Sequence, residues 1–178
     1  MNFLFLIGIT LGYLFLNFDK MFVGHQEVIK AWERANAQIE QRFDLALELK
    51  YIFPDIDFKE KMHLEGIIRE RNHYLMTKEV SEIIKANRKL SSTLKQIIVT
   101  LENYPELENN ISFNNFLERL CKNEIRLVNA FKAYNSCVKK YNNYVAMGPN
   151  KFYVRYFGFN KKKYLDSEML NFIFNKEK

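Results

Sequence analysis

Three charged residues stand where helical patterns would otherwise carry apolar side chains: Arg42, Arg71 and Glu124. A guanidinium stays charged at physiological pH and offers five donors in a rigid fork. Two of them beside one carboxylate suit either a self-paired buried layer or a site for a carboxylate or phosphate. Arg42 lies eleven residues before Phe53, Glu124 eleven after Phe113, and Arg71 thirteen after Phe58. If those points mark one end of antiparallel helices, the three charges fall within a turn of one level, ~16 Å from that end. Unpaired in a core, each would cost several kcal/mol, so they are expected to bond one another. The simpler reading is a layer that sets helix register, or arginines that reach out to solvent, and the ligand site is its rival.

Two further motifs suggest metal chemistry and fail on geometry. Glu60-x-x-His63 and Glu70-x-x-His73 have the form that di-iron helical bundles use, with the motifs on separate helices facing one metal pair. Here both fall on one helix, ~15 Å apart along it and ~80° apart around it. They cannot share a site and are read as surface residues, with no metal or cofactor expected. Cys121 and Cys137 lie sixteen residues apart on one helical pattern. That is ~24 Å, against the ~7 Å between α-carbons that a disulfide allows. Two free thiols suit a reducing compartment. The chain carries no Gly-rich phosphate loop and no plausible Cys-His dyad, so catalysis is not expected.

The elements that position these residues are helical. Phe3 to Phe18 is apolar apart from Thr10 and Asn17, and the first charges are Asp19 and Lys20. A span needs ~17–25 apolar residues, so residues 1–23 form a short transmembrane anchor. A cleaved signal peptide would need a basic leader and a small-x-small site, and neither is visible. Lys20, Lys30 and Arg34 follow the run and no Lys or Arg precedes it, which places the body in the cytoplasm.

Residues 24–178 then read as one domain, an antiparallel up-and-down four-helix bundle. Its seams step by three and four. The first runs Val28, Trp32, Ala35, Ile39, Arg42, Ala46, Leu49, Phe53 and stops at Pro54. The second runs Leu64, Ile68, Arg71, Leu75, opened by Asp57 and Glu60 as a capping box. The third runs Ile83, Asn87, Leu90, Leu94, Ile97, Leu101 up to Pro105, and the fourth from Phe113 to Val145. One continuous helix from Phe58 to Asn103 would be ~69 Å long and would drive charged side chains into the bilayer. A break near Thr77, with its hydroxyl as N-cap, avoids that.

The formal charge is +6, and part of it is concentrated late. From Lys151 to Tyr164, Lys151, Arg155, Lys161, Lys162 and Lys163 alternate with six aromatic residues. An even number of antiparallel helices returns this basic aromatic tail to the membrane side, where Lys161, Lys162 and Lys163 would contact anionic headgroups. Its aromatic rings are expected to cap the open end of the bundle.

Tyr134-Asn135 and Tyr141-Asn142 repeat at seven residues and run into Gly148-Pro149-Asn150 and Phe157-Gly158-Phe159. Upstream stand Glu102-Asn103-Tyr104-Pro105-Glu106-Leu107, then Phe113, Phe116, Leu117 and Asn123-Glu124-Ile125-Arg126. In this order and spacing, from about Leu94 to Leu165, the chain resembles the LemA family of small membrane-anchored helical proteins. The resemblance implies a helical bundle and names no reaction. Earlier in the chain, Arg42-Phe43-Asp44-Leu45 keeps part of a family segment, while Ala46-Leu47-Glu48 replaces its Pro-Asn. The expected function is a non-catalytic, membrane-anchored scaffold or adaptor for a protein partner. The alternative is a bundle that senses a lipid or anionic ligand through the Arg/Glu layer or the tail. Nucleic-acid binding is not expected, since no recognisable module accompanies the positive charge.

Overall fold

The computed structural model describes residues 2–52, 58–101, 104, 107, 109–147 and 155–165. Four helices hold nearly all of them: α1 (Asn2–Ile52), α2 (Phe58–Met76), α3 (Val80–Leu101) and α4 (Ile111–Ala146), with no strand among the described residues. The expectations for Phe53-Pro54, Asp57 and the Glu60 side chain, Pro105, Gly148-Pro149-Asn150 and Lys151 lie outside the described residues.

No proline interrupts the chain before Pro54, and α1 runs unbroken for 51 residues, ~77 Å at the standard rise. The domain boundary expected between residues 23 and 24 therefore falls inside one helix. By compactness the chain divides into two units, one built from residues up to Ala35 with Asn129–Leu165, the other containing Asn36–Val128.

In the first unit, the early turns of α1 leave Leu4, Phe5, Leu6, Phe15 and Leu16 exposed. Asn17 does not leave its amide idle there: Nδ2 donates to the Tyr13 carbonyl at 2.7 Å, within the helix. From Met21 onward α1 buries a stripe, with Val28, Ala31 and Ala35 inside. The facing stripe of α4 is Phe131, Tyr134, Val138, Tyr141 and Val145. Trp32 meets Tyr134 edge-on at 5.9 Å, and His25 meets Tyr141 at 5.6 Å. Seven residues on α1 thus match seven on α4, the two-turn repeat of a coiled-coil seam.

In the second unit, the described seam residues expected for α1 and α3 are buried, while on α4 Phe116 lies inside and the expected Leu117 is only half-buried. Ile39, Ala46 and Leu49 lie inside from α1, and Phe113, Leu120 and Leu127 from α4. From α3, Ile83, Asn87, Leu90, Leu94, Ile97 and Leu101 are all buried.

Helix α2 departs from expectation by one step of rotation. Ile67 is fully buried, with Leu64, Tyr74 and Glu70, whereas Ile68 is 39% exposed and Leu75 54%. The segment carries two overlapping apolar stripes, and the periodicity alone does not choose between them. The stripe with Tyr74 wins because its ring stacks on Phe43 at 5.2 Å and its hydroxyl reaches Asn36 Oδ1 at 3.3 Å. Glu70 turns inward with that face and is held by Lys89 Nζ at 2.9 Å, so it is not the surface residue that its motif suggested.

The break between α2 and α3 is real, but its cap is not Thr77. The Thr77 hydroxyl accepts the Glu79 N–H in the connecting turn, and the Glu79 carbonyl accepts the first helical N–H groups, from Glu82 and Ile83. At the start of α4, Asn110 is the N-cap, its Oδ1 accepting the Phe113 N–H at 3.0 Å.

The rotation of α2 has a direct test. Ile67→Ala should destabilise by ~2–5 kcal/mol in denaturant unfolding, while Ile68→Ala should cost less than ~1 kcal/mol. Equal costs at the two positions would return α2 to the other face.

Candidate functional site

Among the described residues Arg42 is the largest fully buried side chain, at 1% exposure. The α1 seam delivers it into the core of the second unit, where it must find partners within the protein. Nη1 donates to Asn87 Oδ1 at 2.9 Å and to Ser91 Oγ at 2.7 Å, both on α3. Those two acceptors are one helical turn apart, so they present together to one guanidinium edge. Nε pairs with Glu124 Oε1 on α4. Ser91 Oγ, already an acceptor for Arg42, donates to the Asn87 carbonyl at 3.0 Å. Arg42 Nη2 is buried without a protein hydrogen-bond partner, as is Asn123 Oδ1.

Burial pushes the Glu124 carboxyl up from its ordinary range, opposed by the charge and hydrogen bonding of Arg42. It draws the Arg42 guanidinium down, opposed in turn by Glu124. Arg42 remains charged regardless, because its ordinary range lies so far above neutrality. Taking both ions out of water costs several kcal/mol, so the pair and its hydrogen bonds serve more to choose one register than to add stability.

Arg71 does not join this layer. It is part-exposed and forks onto Asp44 Oδ1, Nε at 3.2 Å and Nη2 at 2.9 Å. The reason is the α2 rotation described above, which turns Arg71 to the edge of the buried face. Asn87 and Ser91 take the place expected for it. Asn123, beside Glu124, adds a second tie to α1 by donating Nδ2 to the Gln38 carbonyl at 3.2 Å and to Gln41 Oε1 at 3.3 Å. Since the Gln38 carbonyl can only accept, the amide orientation is fixed by its partner.

A polar depression of about 310 Å³ lies between α2 and α3, lined by Arg69, Glu70, His73, Glu82, Lys85, Ala86 and Lys89. Its charges other than Arg69 pair off within it. Lys89 holds Glu70, while Glu82 meets His73 Nε2 at 3.3 Å and Lys85 Nζ at 3.7 Å. No group of three or more His, Cys, Asp or Glu side chains stands close enough to hold a metal among the described residues.

In the first unit, the paired Tyr-Asn dipeptides have a mechanical role that spacing alone did not reveal. Asn142 accepts the Lys162 N–H and donates to the Lys162 carbonyl, each at 2.8 Å. Asn135 does the same with Leu165, again at 2.8 Å in both directions. Tyr134 adds its hydroxyl to the Lys163 carbonyl at 3.2 Å. Each side-chain amide copies a backbone peptide, so the segment is bound as a neighbouring strand would be. The step lengths agree: seven helical residues rise ~10.5 Å, and three extended residues span ~10 Å. Asn seven apart on α4 therefore match backbone sites three apart on the segment.

Before the clamp, Gly158 takes φ +70°, a left-handed conformation that costs other residues ~1–2 kcal/mol. The turn it makes, closed by the Asn160 N–H on the Gly158 carbonyl at 2.8 Å, lets Phe157 and Phe159 both reach Phe18, at 5.2 and 5.8 Å between ring centres. His25 lies against Phe159 at 5.8 Å. Burial first, and then the charge of Lys162, draw its pKa below the usual histidine value, so it is neutral at neutral pH. Lys161 and Lys163 are exposed and Lys162 is half-buried.

The model of the LemA family matches residues 31–171, which is 141 of the 178 residues. The match begins within α1, beyond the apolar run. No curated protein matches the chain.

The pairing in the second unit can be measured as a cycle. Glu124→Leu should cost ~3–5 kcal/mol, because it strands a buried arginine, and adding Arg42→Leu should recover much of that loss. Additive losses would refute the coupling. The clamp has its own readout. Asn142→Ala should cost ~1–3 kcal/mol and speed hydrogen exchange at the Lys162 amide, while the Leu165 amide, held by Asn135, keeps more of its protection. Unchanged exchange at Lys162 would mean that the clamp does not hold the segment.

Proposed function

Because the chain belongs to the LemA family, we propose that it acts as a non-catalytic, membrane-anchored helical scaffold or adaptor for a protein partner. The observation that carries this reading is α1. Its early turns expose a continuous apolar surface, and it is the one helix among the described residues long and apolar enough to cross a membrane. Such a surface is unfavourable in water and at home in lipid. The same helix then carries the buried seam, so the anchor and the body share one element.

We infer that the body is an up-and-down antiparallel bundle. Contacts that step back along α1, from Glu48 to Arg42, step forward along α4, from Arg119 to Glu124. The pairs Asp44–Arg71 and Asn36–Tyr74 do the same for α1 and α2, and Glu70–Lys89 with His73–Glu82 for α2 and α3. A scaffold needs rigidity more than reactive groups, and this arrangement supplies it. The charged side chains best placed for chemistry are committed to one another, which favours a role without catalysis. The anionic-ligand reading of the Arg42 layer is weakened by the same fact, since Glu124, Asn87 and Ser91 already occupy Nε and Nη1, and only the fully buried Nη2 is left over. The cations that follow the apolar run favour a cytoplasmic body.

The protein should stay in the membrane pellet after alkaline carbonate extraction, with its amino terminus intact. A mature terminus near Gly24 would remove the anchor. Crosslinking of the intact membrane protein, followed by capture, should recover a specific protein partner, while recovery of lipid alone would favour the sensing alternative. Protease treatment of intact cells should leave the body uncut.

A further inference from the structure

The segment 155–165 is fixed at a particular depth. Phe18 is the last residue of the apolar run, immediately before Asp19 and Lys20. Phe157 and Phe159 both rest on its ring, and Asn142 and Asn135 hold the following backbone against α4. If the apolar run spans the bilayer, these contacts put the segment where hydrocarbon gives way to headgroups. The outward side of the segment has the composition of that layer. Tyr156 is 65% exposed and Phe157 57%, and Arg155, Lys161 and Lys163 of the same segment are exposed as well. Across residues 18–27 and 155–164, five cations (Lys20, Arg155, Lys161, Lys162, Lys163) face two acids, Asp19 and Glu27.

We propose that residues 155–164 form a collar at the foot of the membrane span that binds an anionic lipid leaflet, with Tyr156 and Phe157 set into the headgroup layer and Arg155, Lys161 and Lys163 on the phosphates. The inference rests on the anchor reading above. It assigns the work to particular side chains. Lys162 is a structural member, half-buried and clamped through its backbone, whereas Lys161 and Lys163 on either side point their charges outward. Aromatic rings favour the membrane–water interface for their amphipathic shape. Cations within ~8 Å of the leaflet feel its negative potential at physiological salt. A ring set against the span and a row of charges beside it give the protein a fixed rotational seat on the lipid surface. A helix threading the bilayer does not have such a seat by itself.

The full-length protein in vesicles supplies the test, with brominated lipid as quencher. Trp32 is the sole native tryptophan, so the unmodified protein measures the background. Two reporters are added singly: Leu14→Trp in the apolar run and Tyr156→Trp in the collar. Both should be quenched in vesicles containing phosphatidylglycerol. Quenching at 156 should fall in pure phosphatidylcholine, or when Arg155, Lys161 and Lys163 are changed together to Gln, while quenching at 14 stays constant. Changing Lys162 alone to Gln should leave quenching at 156 unaltered. Quenching at 14 without quenching at 156 overturns the collar and spares the anchor, and would mark the exposed aromatics as a face for protein. No quenching at either position overturns both. Quenching at 156 that ignores lipid charge and the triple change overturns the anionic recognition.

Discussion

A single buried cation organises the second compact unit. Arg42 cannot shed its charge and cannot reach water, so the chain must bring acceptors to it from two other helices. Asn87 and Ser91 do so from α3 and Glu124 from α4. Apolar seams slide with little change in energy when one Leu replaces another in contact. A guanidinium with fixed directions does not slide. Shifting α4 by one turn would set Leu120 or Val128 where Glu124 stands and leave Arg42 without its carboxylate, at a cost of several kcal/mol. The same demand reaches Asn123, whose amide is held by the Gln38 carbonyl next to the Arg42–Glu124 contact. Two consecutive residues of α4 thus read both the backbone and a side chain of α1.

Much of this was legible from spacing. The α3 stripe from Ile83 to Leu101 could be read because its members recur at steps of three and four, although Ile84, Ala86 and Ser91 widen the buried face beyond it. The separation of α2 from α3 followed from an argument about length and membrane, although the detail at Thr77 and Glu79 did not. Arg42 and Glu124 stood out because charge on a seam is costly, which is a property of a single sequence. Their α3 partners did not stand out, since Asn and Ser are common on helices, and only the facing arginine makes these two matter.

The failures share one cause. In α2, Leu64, Ile67, Ile68, Tyr74 and Leu75 offer two faces, and the choice between them is made by Phe43 and Asn36 on another helix. Arg71 was misplaced as a consequence. The clamp was hidden for a related reason. Asn135 and Asn142 are visible as a repeat, but what they hold is backbone, which carries no sequence signature. Their function becomes readable only when the returning segment is laid beside α4.

The clamp also has a bearing on what kinds of change the chain can absorb. Seven residues of helix are matched to three of extended backbone, and no side chain of the segment takes part in those four amide bonds. These bonds by themselves ask nothing of the side chains at 162 to 165, although Leu165 is buried, and they lock the length of the segment. One residue inserted between Lys162 and Leu165 would displace the second site by ~3.3 Å and flip the alternation of its backbone edges. One inserted between Asn135 and Asn142 would swing the second amide by ~100° around α4. The element behaves as a length gauge, closed to insertion, so peptide tags or grafted loops belong elsewhere in the chain.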